Sequence, residues 1–222
     1  MNHLIDAQIA LRAKQNHLAL TSALLALEIS PSLQAQCILA RLAWDGLLKS
    51  EDEVFLMPWL KREIEKGNTY ACFIGALIDQ SGQLYEANMP RAIERFQIAI
   101  AKGIADAMAG YANLLLPQYE NTAVTPDLKS AIKLLEQSLA LGSREAAYLL
   151  GKHYRYEKQT PDNLQKAYYH LNIARLLGHE NGHLLFLDIA QNEEANHLVG
   201  IIEKSEQAYC RIVSLTPKYP CI

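Results

Sequence analysis

Long apolar runs are missing from this chain. No window approaches 18 uncharged apolar residues, and the run Leu20 to Leu27 is far too short to span a bilayer. Membrane insertion is therefore not expected. The opening Met1 to Asp6 also lacks the basic start and unbroken apolar stretch of a signal peptide. A soluble, cytoplasmic protein is expected, or a periplasmic one if an export signal had been removed.

Cysteine is sparse: Cys37, Cys72, Cys210 and Cys221 show neither CxxC pairing nor regular spacing. That pattern suggests neither a zinc ribbon nor a disulfide framework. Free thiols are expected, with a Cys210 to Cys221 bridge as the alternative in an exported protein. Excess charge is also small. A net charge of −3 and a pI near 6.2 give no reason to expect binding to nucleic acid or anionic lipid. A phosphate-cradling glycine loop, a GxSxG elbow, an HExxH motif and strand signals are all missing. No enzyme class and no cofactor is indicated.

What remains is a hydrophobic content of 50%, ample for a folded core, arranged with a fixed period. Gly67, Gly103, Gly142 and Gly178 each close an apolar helical run, at separations of 36, 39 and 36 residues. Glycine suits the residue past a last helical turn because positive φ costs it little. Alanine stands eleven residues before three of them, at Ala92, Ala131 and Ala167. Four residues after the glycine comes Ala71, Ala107 or Ala146, and nine after it Ala76, Ala112 or Gly151. Small residues in such register let paired helices approach closely.

Pro31, Ala35 and Ala40 extend the pattern backwards, and Gly182 and Leu187 continue it in degenerate form. Helix starts fit the register. Thr125-Pro126-Asp127 and Thr160-Pro161-Asp162 combine a capping threonine, a first-turn proline and an aspartate at the positive end of the dipole. Ser50 with Glu53 reads as a capping box, and Asn192 before Glu193 as a helix start.

These signals predict antiparallel helix pairs at 4–14 and 17–29, 32–48 and 52–66, 69–80 and 89–102, 105–116 and 126–141, 144–157 and 162–177, and 181–191 and 193–214. The fold class is all-α, a superhelical solenoid of about five to six helical hairpins. Residues 1–222 are read as a single repeat domain. Its repeats are clearest over 31–190, with an N-terminal hairpin at 1–30 and a capping helix and tail at 191–222.

The unit Ala147-Tyr148-Leu149-Leu150-Gly151-Lys152-His153-Tyr154, followed by Asp162, Lys166-Ala167, Ala174 and Gly178, resembles the Sel1-like repeat (SLR), a longer-loop relative of the tetratricopeptide repeat. The unit from 103 to 142 has Ala112 for the family glycine and Leu115 for its tyrosine. The unit from 67 to 103 has Ala76 and Asp79 at those places. The resemblance implies an α/α superhelix that binds a protein or peptide on its concave face. It further implies an adaptor in a bacterial envelope, secretion or signalling system, and no catalytic residues.

In that arrangement the first helix of each hairpin lines the groove. Equivalent positions give Arg41, Trp44, Phe73, Gln80, Asn113, Tyr148, Lys152 and Arg155 as partner-binding residues, aromatic anchors beside cations. Trp44 and Phe73 fit the seam between hairpins almost equally well. The cations suit an acidic or C-terminal peptide segment.

Two chemical motifs compete. His179 and His183 have the i,i+4 spacing of metal ligands, but no nearby carboxylate or cysteine supplies an obvious third ligand, so no metal is assigned. The Tyr- and His-rich stretch 148–170 could serve an enzyme accessory or degenerate hydrolase, although packing and partner contact explain it more simply. The favoured function is a non-enzymatic adaptor or scaffold, for example in a secretion system or as a toxin-neutralising immunity protein.

Overall fold

A computed structural model describes residues 2–116, 127–157, 160–192 and 198–215. The described residues form twelve α-helices and one 3-10 turn, with no strand among them. The helices are α1 (His3–Arg12), α2 (Asn16–Ile29), α3 (Leu33–Trp44), α4 (Glu53–Glu65), α5 (Thr69–Ser81) and α6 (Met89–Ala101). They continue as α7 (Ala105–Leu115), α8 (Leu128–Ala140), α9 (Arg144–Tyr156), α10 (Pro161–Leu176), α11 (Glu180–Asn192) and α12 (Val199–Leu215). The chain divides between Ala107 and Met108, inside α7, into two compact units.

The glycine period is a backbone period. Gly67, Gly103, Gly142 and Gly178 have φ of +77°, +82°, +90° and +82°. At each, the glycine N–H and the next N–H turn back to the helix just ended. At Gly67 they reach the carbonyls of Ile64 and Glu63, both at 2.9 Å; at Gly178 they reach Arg175 and Ala174, at 3.0 and 2.9 Å. The last carbonyls are thereby satisfied and the chain reverses in two residues.

The following residue then starts the next helix. The Asn68 side chain accepts the N–H groups of Tyr70 and Ala71, and the Ser143 hydroxyl accepts that of Ala146. One dipeptide closes a helix and caps its successor, which explains the regular spacing between hairpins.

The second helices are capped by Asn88, Asp127 and Thr160, each accepting the N–H three residues on. Thr160-Pro161 matches its expected role. At α8 the cap is Asp127, while Thr125 and Pro126 lie outside the described residues. Ser50 and Glu53 do not form the expected capping box. Ser50–Asp52 is instead a 3-10 turn, and the Asp52 carboxylate accepts the Lys49 N–H at 2.9 Å. That carboxylate is also 2.7 Å from Nδ1 of His17, an anchor across 35 residues that no local pattern announces. Asn192 is the last residue of α11, and the helix start expected after it, at residues 193–197, lies outside the described residues.

Small residues set the helix spacing in each unit. Ala71, Ala76 and Ala92 in the first unit, and Ala112, Ala131, Ala146 and Ala167 in the second, are fully buried. Alanine at 76 and 112 therefore still fills the small packing position. Gly151 marks a closer approach: a Cβ there would stand 2.6 Å from Cγ of Leu171 and 3.1 Å from its backbone nitrogen. No side chain fits between α9 and α10 at that point.

The thiols need correction. Cys37 is disulfide-bonded, whereas Cys72 and Cys210 are free. A free Cys210 excludes the Cys210 to Cys221 bridge; Cys221 itself lies outside the described residues. A bridge involving α3 leaves no trace in local cysteine spacing, because it depends on tertiary proximity.

Candidate protein-binding site

In the first unit, one of the four α3 and α5 positions falls into the core. Phe73 is 2% exposed, with its ring 6.2 Å from Trp44 and 6.4 Å from Phe96. It fills the seam and offers no surface to a partner, which corrects its assignment as a binding anchor. Trp44 and Gln80 are partly exposed. Arg41 is engaged by Asp45, one turn on, so its charge is already compensated.

The same unit holds a polar cluster without sequence warning. Asp79 is fully buried on α5, where other units place Leu115 or Tyr154. Its carboxylate accepts from Nε of Arg91 at 2.8 Å, from Nη1 of Arg95 and from the Tyr85 hydroxyl at 2.9 Å. Its backbone carbonyl accepts the Asn88 N–H at 2.8 Å. Bonding to Asp79 raises the Arg91 pKa, while burial, followed by Asp79, raises that of Tyr85. This cluster fastens the α5–α6 connection.

The second unit presents a different face. Tyr148, Lys152 and Arg155 follow one another at i, i+4 and i+7 along α9, all partly exposed. Nη2 of Arg155 lies 3.3 Å from Asp188 Oδ2, which joins this face of α9 to α11. Leu184 and Leu187 of α11 are 62% and 37% exposed. Lys152 has no ion pair among the described residues. Asn113 is half-buried on α7.

Tyr148 is held from below. Its ring stacks on His179 at 4.2 Å between centroids and 19° between planes. Nδ1 of His179 accepts the Gly182 N–H at 3.0 Å, so the ring proton sits on Nε2 and points to Glu145 Oε2 at 2.9 Å. Both ring nitrogens are thus committed: His179 is the cap of α11 and a buried support, while His183 is exposed. The i,i+4 pair does not converge on a metal. A signal for this role was present in the sequence, since His179 follows Gly178 as the capping Asn68 and Ser143 follow their glycines.

Tyr154 and His170 pack together in the α9–α10 seam, whereas Tyr156 is exposed and Tyr168 stacks on Phe186 of α11. Tyr154 stacks on His170 at 5.8 Å, and Lys166 lies 5.5 Å above the Tyr154 ring. Burial pushes the His170 pKa down to about 4, so its ring is neutral at pH 7. Among the described residues Nδ1 of His170 and Nε2 of His153 are buried without hydrogen-bond partners, with Glu157 Oε2 3.5 Å from the latter. No hydroxyl or thiol is hydrogen-bonded to either ring among the described residues.

No family model and no curated protein matches the chain. Among solved structures, a Sel1 repeat protein from Oxalobacter formigenes matches 93% of this chain and 83% of its own, at 17% identity and a TM-score of 0.51. The c5321 protective antigen of uropathogenic Escherichia coli, which displays an SLR fold, matches 90% of this chain and 52% of its own, at 16% identity and a TM-score of 0.41. The packed helical pairs α1–α2, α5–α6 and α9–α10, the recurring glycine turns and the first of these likenesses agree: the fold is that of a Sel1-like repeat protein, an all-α solenoid of helical hairpins.

Proposed function

We propose that the chain is a non-enzymatic scaffold that holds an acidic segment of a protein partner on the α9–α11 face of its second unit. The observation that carries this is the surface itself. A lysine with no ion pair among the described residues stands between a supported tyrosine and the arginine–aspartate link, beside two exposed leucines. A rigid aromatic ring, a cation and adjoining apolar surface are the ingredients of a binding hot spot. Lys152 attracts a carboxylate, Leu184 and Leu187 take an apolar neighbour, and Tyr148 loses little entropy because His179 already fixes it.

The test is partner capture from the source organism by the wild-type chain, followed by affinity measurement on the purified pair. Lys152→Glu should weaken binding by about tenfold or more, because it replaces attraction by repulsion at the centre of the face. Helical content should not change. Native affinity in the variant at moderate salt would reject this face. Arg155→Glu is a less clean probe, because it sets two carboxylates together at Asp188.

The secretion, envelope and immunity roles share this scaffold chemistry and differ only in the partner. No helix among the described residues is long and apolar enough to cross a membrane. The disulfide at Cys37 favours an oxidising compartment such as the periplasm over the cytoplasm. Thiol labelling of unfolded protein without reductant should then leave Cys37 unlabelled, and a label on Cys37 would contradict the bridge.

A further inference from the structure

The surface of the first hairpin differs from that of α8 and α10. On α8 the exposed positions include Lys129, Lys133, Glu136 and Gln137, and on α10 they include Gln165 and Lys166. On α2, the corresponding second helix of the first hairpin, they include Leu18, Leu25 and Ile29, exposed by 50%, 45% and 72% at i, i+7 and i+11. α1 adds Ile5 and Ile9, exposed by 49% and 60% at i and i+4. This hairpin shows the type of surface that proteins cover.

The charges indicate what covers it. α2 carries one charged residue, Glu28, in 14. On α1, Asp6 lies in the first turn and Arg12 in the last, three residues to either side of Ile9. Arg12 is exposed and has no ion pair among the described residues, and Asp6 approaches only His3, at 3.8 Å. A two-fold axis at Ile9 sets α1 antiparallel to the α1 of a second copy. Ile9 then meets Ile9, and the acidic end of each helix lies beside the basic end of the other. The helix dipoles are also opposed in that arrangement. An apolar, nearly neutral face whose two charges are exchanged by this axis is complementary to itself.

We propose that the α1–α2 hairpin is a homodimer interface built around α1, with a second copy of this chain as its occupant. The experiment is sedimentation equilibrium of the full chain over a concentration series at low salt, with circular dichroism as the folding control. Wild type should sediment as a dimer, and Ile9→Lys as a folded monomer. Arg12→Glu should weaken the dimer by about tenfold, as expected for the loss of two exposed ion pairs. The combined Asp6→Arg and Arg12→Asp exchange should restore most of that loss, because reversal of both charges preserves a self-complementary antiparallel pair. A wild-type chain that stays monomeric at high concentration overturns the proposal, as does an Ile9→Lys chain that still dimerises. A double exchange as weak as Arg12→Glu also overturns it, since it would assign the face to a different partner or geometry.

Discussion

Phe73→Ala should destabilise the protein by about 3–5 kcal/mol, the range for removing a fully buried aromatic side chain. The reason is positional. The ring stands between Trp44 of α3 and Phe96 of α6, so its loss opens a cavity where three helices meet. Ala71, Ala76 and Ala92, already at contact distance of neighbouring helices, cannot move in to fill it. Chemical denaturation measures the effect. A loss below about 1 kcal/mol, combined with weaker partner binding, would return Phe73 to the role of surface anchor.

Asp79→Ala should cost about 3 kcal/mol or more, because it leaves Arg91 and Arg95 facing each other without the carboxylate that joins them. The Tyr85 hydroxyl loses its acceptor in the same step. The damage should be concentrated at residues 82–88, whose conformation depends on the cluster, and should appear there as faster proteolysis before global unfolding. Asp79→Asn keeps the shape and one acceptor oxygen, so it should cost less than alanine. An unchanged melting temperature in Asp79→Ala would show that the two arginines find other partners.

These two sites show where sequence reading succeeds and where it stops. Helix positions were legible because a single chemical requirement repeats: a residue with positive φ closes a helix and the next residue caps its successor. That requirement is met at Gly67-Asn68, Gly142-Ser143 and Gly178-His179. The seam was legible through Ala92, Ala131 and Ala167, since close helix approach excludes larger side chains.

The division between surface and seam was less legible. Phe73 and Tyr148 hold the same register position, yet one is buried by Trp44 and Phe96 while the other rests on His179 with an edge exposed. Neighbouring helices decide that outcome, and one helix's periodicity does not contain them. Asp79 occupies a position that reads as aromatic or apolar elsewhere, and only its distance to Arg91 and Arg95 in the fold explains a buried charge. The Cys37 disulfide and the His17–Asp52 contact belong to the same class, because both depend on tertiary proximity rather than local pattern.

Site-specific photocrosslinking tests the binding face most directly. A photoreactive residue at Leu184, exposed beside the Arg155–Asp188 link, should capture the partner. The same residue at Gln165, exposed on α10, should capture none. Crosslinks from Gln165 with none from Leu184 would contradict the account and move binding off the α9–α11 face.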